Sequence, residues 1–259
     1  MKLAERCADA PAAQRSKEAL GPGAAFVGGG TALQLAWAEG APPGLTLIDV
    51  NHLPQARGID IRRGVLRIGA AVRLEAVRTD ARVRQFAPLL AQACDGLAAL
   101  SVRHLATLGG NVGWRFGDTL AALLAMGAQA ELADGQQVPL DGLMARPELP
   151  LVVALHVDGG RLPRIAFYEK VGRRAAFSPS RLALAVCADP GPPGGAGLLQ
   201  DLRIGASGAG LRGRRLQAAE RCLSGPGEVT LREACAHDLP EDTAIARLAA
   251  RLLTGHLHL

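Results

Sequence analysis

Aromatic residues are scarce: two tryptophans, one tyrosine and five phenylalanines, 3% of a 259-residue chain. Base stacking on aromatic platforms is therefore not expected. A long block of lysine and arginine is also lacking. The 29 basic residues exceed the 24 acidic ones by five, but they are mostly arginines scattered singly or in pairs. Nucleic-acid binding needs a dense cationic stripe, and none is present. An anionic cofactor or an acidic partner protein accounts for so mild an excess.

No two of the five cysteines (Cys7, Cys94, Cys187, Cys222 and Cys235) form a C-x-x-C pair. That argues against an iron–sulfur or zinc site in this chain. Their odd number and wide spacing predict free thiols in a reducing, cytoplasmic compartment. No apolar run approaches the ~20 residues of a membrane span. The opening "MKLAERCADAPAAQRSKEAL" alternates charge and alanine, so it lacks the apolar core of a signal peptide. The six histidines do not fall at metal-ligand spacing. There is no G-x-x-x-x-G-K-[ST] and no G-x-S-x-G, which excludes a P-loop nucleotidase and a serine-hydrolase elbow. Cys94-Asp95 and His104 are the remaining candidates for nucleophilic chemistry, and position alone recommends them.

What the chain does have is apolar bulk, 49% of residues, punctuated by 32 glycines and 16 prolines. That suits a mixed fold with many tight turns, as one large domain or two to three small ones. Leu3–Leu20 reads as a helix interrupted at Pro11 and ended by Gly21-Pro22-Gly23. "AAFVGGGTALQLAWAEG" reads as strand, glycine loop and a helix over Ala32–Glu39; "LTLIDV" closes a βαβ unit. "GIDIRRGVLRIGAAV" predicts two strands about Arg63-Gly64. "RLEAVRTDARVRQFAPLLAQACDGLAAL" has helical spacing with a break near Pro88. "TLAALLAMGAQAELA" predicts a helix running into a strand. "LPLVVALHV" and "RIAFYEKVG" are strands; "RLALAVCA" and "LQDLRIGAS" form a hairpin tipped by "DPGPPGGAG". The tail, "GRRLQAAERCL" and "EDTAIARLAARLLTGHL", is helical. Boundaries fall near residues 53 and 160.

Two glycine-rich loops carry the chemistry. Gly28-Gly29-Gly30-Thr31 lies between a strand and a helix, where backbone N–H groups and the helix dipole suit an anion. Thr107-Leu108-Gly109-Gly110-Asn111 lets a ligand approach the main chain without a Cβ in the way. Either alone reads as a turn; together they point to a diphosphate ligand. Gly208-Ala209-Gly210-Leu211-Arg212-Gly213 is a literal G-x-G-x-x-G, but no buried strand ending in an acidic residue follows it, so it reads as a turn entering a helix.

These loops resemble the FAD-binding subunit of molybdenum hydroxylases, the group of xanthine dehydrogenase and aerobic carbon monoxide dehydrogenase. The motifs that carry the resemblance are "VGGGTAL", "LIDVNHLPQARGI", "RIGAAVRLEAV", "VRHLATLGGNVG", "GDTLAALLAMGA" and "FYEKVGRRAAFSPSRLALAV", in order from Phe26 to Ala188. The resemblance implies an α+β architecture of vanillyl-oxidase type (PCMH-type). Two α/β FAD-binding subdomains (1–53 and 54–160) precede a small C-terminal α+β domain (161–259) with a three-stranded sheet. It implies FAD as cofactor, with Val27, Gly28, Gly29, Gly30, Thr31, Ala32 and Leu33 wrapping the diphosphate and ribityl chain. Thr107, Leu108, Gly109, Gly110 and Asn111 would line the other side. Asp118 would bond the ribityl or adenosine region unless it is a helix N-cap. Lys170 would sit at the flavin's polar edge unless it is a solvated strand-end charge.

The implied partners are a [2Fe–2S] subunit and a molybdopterin-binding large subunit in a hetero-oligomer. Electrons would leave to NAD+, dioxygen or another acceptor. A reductase of the same fold, of the UDP-N-acetylenolpyruvoylglucosamine reductase type, and a flavin-free assembly subunit are the alternatives. Several positions depart from the family pattern. His104 stands for asparagine, Ala121 for proline, and Trp114-Arg115-Phe116 for small polar residues. The family's opening strand with Tyr-x-x-Pro and its C-terminal Tyr-Arg-Arg helix are not matched.

Overall fold

The computed structural model describes residues 2–38, 40–160, 162–172, 179–191, 199–225 and 229–258. Three sheets follow one another along the chain. The first is parallel, in the order β1-β3-β2, built from β1 (Lys2–Arg6), β2 (Ala24–Val27) and β3 (Thr46–Asp49). Helix α1 (Ala10–Leu20) joins β1 to β2, and α2 (Thr31–Ala36) makes the βαβ crossover. The expected helix over Leu3–Leu20 is thus a strand and a shorter helix. Asp9 caps α1, its carboxylate accepting from Ala12 N at 2.8 Å. Pro11 sits in the first turn, where its missing N–H costs nothing. The strand expected to be missing at the start is present without its tyrosine, because parallel pairing with β3 overrides the helix propensity of "KLAER".

The second sheet has five strands in the order β4-β5-β8-β6-β7. Strands β4 (Ile59–Arg62) and β5 (Val65–Gly69) turn at Arg63-Gly64, both with positive φ. Six helices follow: α3 (Leu74–Thr79), α4 (Ala81–Phe86), α5 (Pro88–Asp95), α6 (Leu100–Leu105), α7 (Leu108–Gly113) and α8 (Thr119–Ala125). Pro88 opens α5 rather than breaking a helix. Strands β6 (Gln129–Leu132) and β7 (Gln137–Pro139), helix α9 (Leu140–Met144) and strand β8 (Val152–Asp158) complete the layer.

The third sheet has four antiparallel strands, one more than expected: β9 (Ile165–Gly172), β10 (Ser180–Pro190), β11 (Leu199–Gly208) and β12 (Leu211–Arg215). The extra strand is β12. The G-x-G-x-x-G stretch makes a hairpin with Gly210 at φ +84°, so it enters a strand and not a helix. The glycine-rich tip of the β10–β11 hairpin, at 192–198, lies outside the described residues. Helices α10 (Gln217–Ser224), α11 (Leu231–Asp238) and α12 (Thr243–Leu257) close the chain. Among the described residues no helix is long and apolar enough to cross a membrane.

Helix α8 joins the second and third sheets. All seven of its residues are buried. Leu120, Leu123 and Leu124 enter the core of the five-stranded sheet, while Ala121, Ala122 and Ala125 pack with Ala183, Ala185 and Cys187 of β10. Burial of each such leucine contributes about 1.5–3 kcal/mol. The opposite face of the third sheet packs on α10, α11 and α12. Helix α2, by contrast, buries no residue.

Among the described residues two helix carboxylates are buried, Glu75 and Glu220. Glu75 of α3 takes the Arg78 guanidinium at 2.6 Å and Arg103 Nε at 2.8 Å. These hydrogen bonds, Arg78 first, hold its carboxyl down at about 2 against an ordinary 4.5. A carboxyl depressed in the folded state contributes stability above its unfolded value, and that contribution is lost as pH falls through the folded one. Glu75→Gln is expected to lower the melting temperature by several degrees at neutral pH. Its deficit against wild type, followed by urea unfolding, should narrow from pH 4.5 down towards 2. A deficit constant across that window would show that the ionised pair is not what stabilises α3.

Candidate functional site

The first glycine loop is held from behind by the strand that follows it. Asn51 Nδ2 donates to Gly28 O at 2.9 Å and to Asp49 Oδ1 at 2.8 Å, and Asn51 N donates to the same carboxylate oxygen at 2.9 Å. Val50 N donates to Val27 O at 3.0 Å. Burial pushes the Asp49 carboxyl up, but the Asn51 backbone and side-chain bonds, with His52 and Arg6, outweigh it and hold it below its ordinary value. Asp49 and Asn51 brace the loop, a part that motif reading did not assign to them; a carboxylate and an amide two apart at the end of a βαβ strand are the signal. Gly30 then turns with φ +70° into α2. The N–H groups of Thr31, Ala32 and Leu33 have no intrahelical acceptor, and no side chain caps them.

The second loop is different: its amides are already used. Leu108 N donates to Val72 O at 2.9 Å and Gly109 N to Ala70 O at 2.8 Å. Gly110 N donates to Thr107 Oγ1 at 3.1 Å, which caps α7. Thr107 is 2% exposed and Leu108 is fully buried, so neither side chain faces outward. Gly109 is required because a Cβ there would stand 2.5 Å from Ala70 Cβ.

The two loops meet main chain to main chain. A Cβ on Gly29 would collide with the Leu105 carbonyl, and one on Gly28 would stand 2.6 Å from Thr107 Oγ1. Among the described residues the first loop therefore presents amides without an acceptor, and the second is the wall it rests on.

Asn111, Asp118 and Lys170 form the next group. Asn111 Oδ1 accepts from Thr119 N at 3.1 Å and Thr119 Oγ1 at 2.6 Å, so Asn111 caps α8. Asp118 makes no cap bond. Its Oδ2 pairs with Lys170 Nζ at 2.8 Å, and its Oδ1 accepts from the Ser180 hydroxyl. Lys170 Nζ also donates to Gly96 O at 2.8 Å. The lysine is thus an internal cation, not a solvated strand end. Below it, Tyr168 Oη donates to the Asp118 carbonyl at 3.4 Å; burial pushes this phenol well above its ordinary value.

The departing stretch "WRFG" has a structural role. Arg115, at φ +65°, donates from its guanidinium to the carbonyls of Met144, Arg146 and Pro147, and its own carbonyl accepts from Gly213 N at 2.8 Å. Trp114 and Phe116 meet edge to face at 5.9 Å. The candidate thiol Cys94 is fully buried, and desolvation pushes it up to about 12, so it is a core residue.

The fold is shared with solved chains of a carbon monoxide dehydrogenase and a quinoline oxidoreductase. It superposes with a TM-score of 0.80 on a chain of the carbon monoxide dehydrogenase from Hydrogenophaga pseudoflava, at 23% identity, covering 98% of this chain and 95% of that one. Quinoline 2-oxidoreductase from Pseudomonas putida 86 matches with a TM-score of 0.70 and 19% identity, covering 99% and 98%. The chain belongs to the family of the FAD binding domain in molybdopterin dehydrogenase, which matches residues 4–152, more than half its length. FAD is accordingly its cofactor. The xanthine dehydrogenase FAD-binding subunit of Escherichia coli O157:H7 is 29% identical over 107 residues, 39% of this chain and 37% of that subunit. That alignment thus spans a little over a third of the curated relative.

Gly29→Ala is expected to force the loops apart and weaken FAD binding by roughly tenfold or more, about 1.4 kcal/mol, read by quenching of flavin fluorescence. Gly23→Ala is the control. A Cβ at Gly23 meets nothing within 4 Å, so flavin affinity should not change. Equal affinity in both variants would mean that the close approach of the loops is not required.

Proposed function

We propose that this chain is the flavin-carrying electron-transfer subunit of a molybdenum hydroxylase. In this reading it works in a hetero-oligomer with a [2Fe–2S] subunit and a molybdopterin-binding large subunit. The observation that carries the reading is the asymmetry of the two loops. Main-chain amides at the start of α2 are left without acceptors, at a place where glycines keep side chains away, and a diphosphate is an anion that needs such donors. Val27, Gly28, Gly29, Gly30, Thr31, Ala32 and Leu33 would hold the FAD diphosphate and ribityl chain. Thr107, Leu108, Gly109, Gly110 and Asn111 would line the other side, Leu108 through its backbone. FAD held there would supply both one-electron and two-electron redox chemistry.

Asp118 and Lys170 act as a pair. The ammonium fixes the carboxylate on which a ribityl or adenosine hydroxyl can donate, and Gly96 O fixes the ammonium. Because Lys170 is on β9 and Asp118 opens α8, the pair also ties the third sheet to the flavin loops. The substrate-oxidising centre belongs to the large subunit in this reading, and NAD+, dioxygen or another acceptor takes the electrons, in the cytoplasm.

The purified chain should be yellow and take up FAD. Assembled with its two partner subunits, it should transfer reducing equivalents to an acceptor dye; without its flavin, reduction should stop at the iron–sulfur centres. A colourless chain that cannot bind added FAD would select the flavin-free assembly role. NADPH turnover by the isolated chain would select the reductase. Asp118→Asn and Lys170→Gln should each weaken FAD binding by roughly tenfold, and the double variant by little more than either, since contacting residues are not additive. Fully additive losses in a titration would separate the two side chains.

A further inference from the structure

On the side of the third sheet away from α8, helix α12 and the start of β10 enclose a groove of about 350 Å³. Its walls are Arg181, Arg247 and Arg251, and its floor is Ala244, Ile245 and Leu248. Helical spacing explains the arrangement. Arg247 and Arg251 lie one turn apart on one face, Ala244 and Leu248 one turn apart beside them. The three arginines are exposed.

Nearby arginines are neutralised within the chain: Arg214 pairs with Glu241 at 2.8 Å and Arg215 with Glu220 at 2.6 Å. Arg181, Arg247 and Arg251 are not. Among the described residues none of the three forms an ion pair or a side-chain hydrogen bond, and α12 carries no acidic residue from Thr243 to Leu257. Three like charges held around one groove without counter-charges repel each other, and an incoming anion relieves that repulsion. Guanidinium groups suit carboxylates because their planar forks match two oxygens. The floor argues against a small inorganic anion. An apolar strip between the cations gains from covering by an aliphatic side chain, as at the core of a protein interface.

We infer that this groove is the docking surface for a segment of a partner polypeptide carrying two or more carboxylates around an aliphatic residue. The inference rests on the reading of this chain as one subunit of an assembly, and it says which surface of the subunit is used. Helix α12 packs on the face of the third sheet opposite α8, the helix that follows Asp118.

The test uses the full-length, FAD-loaded chain and a fluorescein-labelled peptide alternating glutamate with leucine, followed by fluorescence anisotropy. Wild type should bind, more weakly as salt rises. The double variant Arg247→Glu/Arg251→Glu should lose on the order of tenfold or more in affinity, with flavin absorbance and melting temperature unchanged. If the double variant does not fold, Arg251→Gln alone should still weaken binding. A peptide with serine for leucine should bind severalfold less tightly.

No binding to wild type, equal binding to the variants, or equal binding of the serine peptide would overturn the inference. So would displacement by an equal concentration of inorganic phosphate, which would mark a small-anion site. Flavin absorbance reads the parent proposal independently: a chain without flavin that still binds the peptide would sink that proposal and leave the groove intact.

Discussion

Helix α8 is apolar on every side, and a helix of that kind in water must be covered on every side. Its leucines take the five-stranded sheet and its alanines take the four-stranded one, so about two turns of helix set the spacing of two sheets. The approach to β11 is close because β11 has glycine at the contact: a Cβ on Gly205 would collide with the carbonyl of Ala121. The start of α8 is then fixed in space, and Asp118 with it. Lys170 and Ser180 reach Asp118 only because β9 and β10 are held against this helix. An electrostatic contact at the candidate site thus depends on hydrophobic packing a few residues away.

The two glycine loops look alike as sequence and differ as structure. Accounting for their amides separates them. Leu108, Gly109 and Gly110 spend their N–H groups on Val72, Ala70 and Thr107, while the first turn of α2 has none spent. Asn51 and Asp49 hold the first loop from one side and Leu105 to Thr107 hold it from the other. None of these contacts uses a side chain of the first loop itself, and the departures His104 and Ala121 lie outside it, on α6 and α8. Arg115 fixes three carbonyls of the α9–β8 connection, so the unfamiliar "WRFG" is a brace beside the site.

Local signals were legible in the sequence. The Arg63-Gly64 hairpin, the βαβ crossover and the apolar run of α8 each follow from a pattern a few residues long. What was not legible depends on distant partners. "KLAER" has helix-forming residues but pairs with β3 some forty positions later. The G-x-G-x-x-G stretch makes a hairpin because β11 offers it a neighbour. Asp118 and Lys170 were both recognisable as candidates through the family resemblance, yet their pairing across the chain was not. The arginines of the α12 groove are ordinary surface residues until Arg181 is placed beside them.

The cysteines carry a consequence for durability. Cys94, Cys187 and Cys235 are buried, and desolvation pushes each thiol up to about 12. At neutral pH they therefore stay as protonated thiols. Hydrogen peroxide attacks cysteine as the thiolate. Desolvation therefore gives these sulfurs a chemical passivity that no scavenger need provide. Half-buried Cys222, which donates its S–H to the Val229 carbonyl at 3.0 Å, is the position where oxidative wear should start.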